Sequence, residues 1–170
     1  MFLNKRYGQA LVAFRRAGRD REVTICNAYL LREKARLVST TASATRIQAF
    51  VTAANAFVAC ARDSPKQRVN ERLAYHGEAG ECYLEARDPK KAGVNYLIAE
   101  QYGAAGCAYL EGEQFDRLVE VITRHGNTIK DGLLKRLTKA ARLHYSKVYL
   151  YIHFVSRYLR PILSHSVSRH

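Results

Sequence analysis

The sequence predicts an all-α protein, an α-solenoid of about seven to nine short antiparallel helices. Three observations lead there. One eight-residue pattern is written three times at a 13-residue period: Ala79-Gly80-Glu81-Cys82-Tyr83-Leu84-Glu85-Ala86, then Ala92-Gly93-Val94-Asn95-Tyr96-Leu97-Ile98-Ala99, then Ala105-Gly106-Cys107-Ala108-Tyr109-Leu110-Glu111-Gly112. At about 3.6 residues per turn, such a unit holds one helix of roughly three turns and a tight reversal. Of 170 residues 48% are hydrophobic and only three are proline, at 65, 89 and 161, so few positions force a helix to stop. Strand signals are nearly missing, since Asp131-Gly132 runs into Leu133-Leu134-Lys135, a helical rather than a hairpin pattern.

Taken in order, Tyr7, Ala10, Leu11, Ala13, Phe14 and Ala17 recur at steps of three and four, which puts them on one helical face ended by Gly18. Asp20 is the expected N-cap of a second helix running to about Val38 through Val23, Cys26, Ala28, Tyr29, Leu31 and Ala35. Residues 1–38 thus form an N-terminal helical hairpin, about the 34-residue size of a tetratricopeptide unit, although the Trp-x-x-Leu-Gly signature is missing. The polar stretch 39–45 is the expected linker, one of its hydroxyls capping the next helix.

A helical repeat core is expected over 46–126. Its first helix, 46–62, is small and apolar on nearly every turn and is expected to pack on more than one side. Ser64 and Pro65 are the expected cap and first turn of a helix to Ala86, and Asp88-Pro89 repeats the device. Helices at about 89–99, 101–111 and 114–125 follow, with Gly103 and Gly106 at close contacts and Gly112 and Gly126 as terminators. In each unit Ala and Gly admit a neighbouring backbone, while Tyr83, Tyr96 and Tyr109 fill the next groove. Those tyrosines are expected to lie partly in the core and partly on a face offered to a protein partner. Residues 127–163 form a basic, aromatic-rich helical segment of one or two helices, and 164–170 a disordered tail.

The formal charge of +13 is unevenly spread. Residues 1–45 carry nine Lys/Arg against three Asp/Glu, residues 46–125 ten against eleven, and residues 126–170 nine against one. Basic ends attract nucleic acid, an anionic surface or an acidic partner. Arg15, Arg16, Arg19, Lys135, Arg136, Lys139, Arg142, Lys147 and Tyr149 are the candidate nucleic-acid contacts, the tyrosines among the cations suiting base stacking. The same segment equally suits a helix docking back on the stack, and basic faces are commonly just solvated.

No reactive constellation stands out. Cys26, Cys60, Cys82 and Cys107 lie 34, 22 and 25 apart in apolar helical stretches, the setting of reduced, buried thiols. Histidines at 76, 125, 144, 153, 165 and 170 are scattered, and Gly-x-x-x-x-Gly-Lys-Ser/Thr, His-Glu-x-x-His and Gly-x-Ser-x-Gly do not occur. Cys82 or Cys107 with His76 makes a conceivable nucleophile and base, and Glu78, Glu81 and Glu85 a conceivable carboxylate row; each is more ordinary as a buried thiol or an ion-paired surface. A non-enzyme without cofactor or metal is expected. Met1-Phe2-Leu3 runs straight into Asn4-Lys5-Arg6 with no apolar core for a secretory signal. The run from Val148 to Ser156 is far short of the roughly 20 residues of a membrane span. A cytoplasmic or nuclear location is expected.

Arg6-Tyr7-Gly8-Gln9-Ala10, Phe14-Arg15-Arg16-Ala17-Gly18 and Ala28-Tyr29-Leu30-Leu31-Arg32-Glu33-Lys34-Ala35-Arg36, with Ala79-Gly80-Glu81-Cys82-Tyr83 and Tyr102-Gly103-Ala104-Ala105, resemble a known helical region. It is the repeat region downstream of the helicase-like domains in TPR- and ankyrin-repeat-containing proteins of the UvrD-like helicase group. The likeness covers residues 5–149 and rests on Ala/Gly/Tyr patterning. The ATP-binding motifs of that group lie in a separate P-loop domain and none occurs here, so no catalytic residue carries over. The resemblance implies a fragment or short relative of a helical scaffold. On this basis the expected role is a non-catalytic scaffold for protein–protein interaction with an unknown protein partner, as the accessory helical region of a helicase-like protein, with nucleic-acid binding by the basic ends as the alternative and self-association through exposed end helices as a further expectation.

Overall fold

The computed structural model describes residues 6–39 and 43–154, with side chains to residue 151. Eight α-helices follow one another there: α1 (Tyr7–Arg16), α2 (Asp20–Leu37), α3 (Ser43–Arg62), α4 (Val69–Glu85), α5 (Pro89–Ile98), α6 (Tyr102–Glu111), α7 (Phe115–His125) and α8 (Asp131–Phe154), with a 3-10 turn at Gly126–Thr128. No strand occurs among the described residues. Each helix packs on the next, and α6 also packs on α8.

One three-residue joint serves four times. After α4 the joint is Ala86-Arg87-Asp88: the Asp88 N–H donates to the Tyr83 carbonyl at 2.9 Å and the Arg87 N–H to the Leu84 carbonyl at 2.8 Å. These two bonds satisfy carbonyls that the end of a helix would otherwise orphan. Ala99-Glu100-Gln101 and Gly112-Glu113-Gln114 close the same way, on the carbonyls of Tyr96 and Tyr109, and Ala17-Gly18-Arg19 does so after α1. The middle residue is left-handed in all four, with φ of 57° at Arg87, 58° at Glu100, 53° at Glu113 and 63° at Gly18. The third residue is at once the N-cap of the following helix, its carbonyl accepting from Ala92, Ala105, Leu118 or Val23.

The joints correct several terminus expectations. Gly112 and Gly126 do end α6 and α7 as expected, but neither is itself left-handed: Gly112 sits one place before the left-handed residue with an ordinary φ of −83°, and Gly126 is right-handed and leads into the 3-10 turn. Asp20 is the first residue of α2 rather than its cap, because the joint places Arg19 there. Ser64 does not cap α4: its hydroxyl donates back to the Cys60 carbonyl at 2.7 Å, the Arg68 N–H closes a turn on Pro65, and α4 starts at Val69. At Asp88-Pro89 the expectation holds, the carboxylate accepting from the Lys91 N–H at 3.0 Å with Pro89 opening α5. The expected linker is shorter than 39–45, since α3 already begins at Ser43; residues 40–42, the start of the chain to residue 5, and the expected tail at 164–170 lie outside the described residues. The segment beyond the turn is a single helix, α8, as far as Phe154.

The 13-residue pattern is also a packing rule. A Cβ on Gly80 of α4 would sit 2.8 Å from the Tyr96 ring of α5, and one on Gly93 of α5 would collide with the Tyr109 ring of α6. The glycine is a notch and the tyrosine of the following helix fills it. In the third unit the corresponding ring position is Ile122, and Gly106 receives Leu137 of α8 instead, 2.7 Å from its would-be Cβ. Upstream, α3 is buried on several sides, with Ala53, Ala54, Phe57 and Ala61 inaccessible to solvent. Arg32 of α2 lies over the Tyr29 and Phe57 rings and pairs with Glu78 of α4, tying three helices together.

Filling a notch has a measurable cost. Gly93→Ala should lower the free energy of unfolding by about 2 kcal/mol in urea denaturation, the range for overpacking a tight contact. Gly132→Ala, where nothing lies within 4 Å, should be neutral or stabilising by up to ~1 kcal/mol through helix propensity. Equal effects at the two positions would contradict the notch.

Candidate binding surface

Of the two placements expected for the repeat tyrosines, core and partner face, the structure shows the core. Tyr83, Tyr96 and Tyr109 are only 5%, 5% and 2% exposed. Their rings lie between consecutive helices, and the Tyr83 hydroxyl donates to Asn55 at 2.6 Å. The periodicity that made them look like a display row is the periodicity of the interlock. Burial raises the hydroxyl pKa of all three, that of Tyr96 to about 12.

The residues considered for chemistry are occupied structurally. Burial holds the thiols of Cys60 and Cys82 at about 11, where little nucleophilic thiolate exists near neutrality. Cys107 is half-buried and accepts from Arg136 at 3.4 Å. His76 meets Asn95 at 2.9 Å, with Nδ1 facing the amide oxygen, and Asn95 in turn donates to the Lys91 carbonyl. Glu78 and Glu81 face Arg32, and Glu85 pairs with Arg46 at 3.0 Å. Among the described residues no three His, Cys, Asp or Glu side chains group as metal ligands would, and no helix is long and apolar enough to cross a membrane.

The two basic segments differ in kind and do not meet: α1 packs on α2, while α8 packs on α6 and α7. Near the N-terminus the described cations are divided: Arg19, Arg21, Arg32 and Arg36 are ion-paired, while Arg6, Arg15, Arg16 and Lys34 are exposed with no ion pair found among the described residues. Arg19 pairs with Glu22 and lies over Phe14, its side chain still 56% exposed; Arg21 pairs with Glu71. Arg15 and Arg16 remain exposed at the end of α1. In α8 there is no such division. Lys135, Arg136, Lys139, Arg142 and Lys147 are all exposed, and every ion pair found among the described residues lies between Arg19 and Arg124.

Spacing explains how α8 divides its faces. Leu133, Leu137, Ala141 and His144 turn toward the body, Leu137 and Ala141 fully buried and His144 stacked on Phe115 at 3.7 Å. Steps of three and four continue that stripe to Val148 and Tyr151, yet these are 38% and 69% exposed. Tyr145 still reaches back, donating to Asp116. On the opposite face Lys135, Lys139 and Arg142, with Leu134 and Thr138, line an open groove of about 400 Å³. The groove over α2 and α4, about 460 Å³, is by contrast of mixed sign, with Arg32 and Arg36 facing Glu81 and Glu85. The continuation of the core-facing stripe was legible in the sequence as periodicity; the exposure of Val148 and Tyr151 was not.

No protein family, curated protein or solved structure matches the chain.

The raised tyrosine and thiol pKa values fix the sign of one pH effect. A group held protonated in the folded state loses its stabilising contribution as pH rises from the unfolded to the folded pKa. Unfolding free energy should therefore fall from about pH 9, through the thiols of Cys60 and Cys82, to about pH 12, with Tyr96 alone contributing on the order of 2 kcal/mol above pH 10. Tyr96→Phe should flatten part of that fall in denaturation curves; a pH profile unchanged by the substitution would contradict burial of that hydroxyl.

Proposed function

We propose that the chain is a non-catalytic, tetratricopeptide-like helical scaffold that binds a protein partner through the projecting end of α8. The observation that carries this is the continuation of the core-facing stripe into open solvent at Val148 and Tyr151, beside exposed Leu150. Side chains of this kind, at positions that are core one turn earlier, are the usual material of an interface. An amphipathic helix of the partner laid along the stripe would continue the packing used between neighbouring helices inside the chain. The Ala/Gly/Tyr resemblance supports a place for such a scaffold as the accessory helical region of a helicase-like protein. Self-association through the end helices is the less favoured form of this reading, because residues 1–45 and 126–170 carry net charges of +6 and +8 and repel one another.

The test compares the purified chain with its Val148→Glu/Tyr151→Glu variant as affinity baits in extract from the source cells. A partner recovered in stoichiometric amount by the first and lost from the second, at unchanged helicity, is the expected result. Equal recovery by both would overturn the reading.

A further inference from the structure

The outward face of α8 has a chemistry that scaffolding does not use. From Lys130 to Lys147 there are six cations and one acid, Asp131. In the body of the protein arginine is a structural tie, as at Arg21–Glu71, Arg32–Glu78 and Arg46–Glu85. On α8 no carboxylate faces the cations in an ion pair among the described residues. A dense row of like charges with a single acid beside it raises the energy of the free protein, and a polyanion relieves it by displacing counterions.

We propose that this face binds single-stranded nucleic acid, Lys135, Lys139 and Arg142 taking backbone phosphates and Tyr149 offering its ring to a base. The three cations follow at steps of four and three residues, so they stand on one face with rises of about 6 and 4.5 Å along the axis. They share an open groove whose remaining walls, Leu134 and Thr138, carry no negative charge. Tyr149 lies seven residues past Arg142, two turns along the same face, and is 69% exposed. The combination decides the class of polyanion. An acidic protein would satisfy the cations but has no use for a ring in line with them, and a duplex keeps its bases stacked internally; an unpaired strand presents phosphates and free base faces together. This stripe is on the side of α8 away from Val148 and Tyr151, so strand binding and partner binding stand or fall separately.

Fluorescence anisotropy with a labelled oligothymidine of about 15 nucleotides tests it, beside the same length of duplex and a polyglutamate of matched charge. Three phosphate contacts give a slope of about −2 for log affinity against log salt. Lys135→Gln/Lys139→Gln/Arg142→Gln should weaken strand binding about tenfold or more at low salt, with unchanged circular dichroism because all three side chains are exposed. Tyr149→Ala should weaken the strand severalfold and leave polyglutamate unaffected. Arg15→Gln/Arg16→Gln, at the far end of the chain, should change nothing. Failure to bind the strand at low salt, wild-type affinity in the triple variant, or equal affinity for all three polyanions with no effect of Tyr149→Ala would each overturn the proposal.

Discussion

The contact on which the rest depends is a ring seated where a glycine leaves no side chain. Tyr96 occupies the notch at Gly80 and Tyr109 the notch at Gly93. The same two tyrosines lend their backbone carbonyls to the joints that end their own helices, at Gln101 and Gln114. One residue per unit therefore sets both where a helix stops and how closely it lies on its predecessor. Helices of about ten residues are marginal alone, and packing must supply most of their stability. That packing is dense, with Ala79, Ala92, Ala105 and Ala108 inaccessible to solvent.

The body and α8 follow opposite electrostatic rules. Within the body, cations reach across helices to carboxylates, and partly shielded pairs such as Arg32–Glu78 hold elements in register while neutralising one another. The result is a stack whose grooves are of mixed sign, near neutral over residues 46–125. α8 contributes Leu133, Leu134, Leu137 and Ala141 to the core, then leaves the stack with one face apolar and the other basic. The share of α8 in the core thus lies in its first half, up to Ala141.

Much of the architecture was legible because it is local. The 13-residue period, the Asp88-Pro89 start of α5 and the all-α class follow from spacing and capping chemistry alone. The joints were legible only in part, since the left-handed residues are Arg87, Glu100 and Glu113, charged side chains that carry no glycine signal; tertiary packing holds them there against their intrinsic preference. In the sequence the tyrosine row is divided between core and partner face, because spacing gives a face but not what covers it. Likewise, composition makes the two basic ends look alike. The pairing of Arg19 with Glu22 is three residues away and could be read, whereas Arg21–Glu71 spans 50 residues and could not.

The central claim is that glycine and tyrosine act as a single unit across each helix pair, and a double-mutant cycle on Gly80 and Tyr96 addresses it directly. Gly80→Ala and Tyr96→Leu should each destabilise the protein in urea denaturation, and the double variant should be less destabilised than their sum by at least ~1 kcal/mol, because the added methyl no longer meets the ring. Strict additivity of the two substitutions would contradict the account.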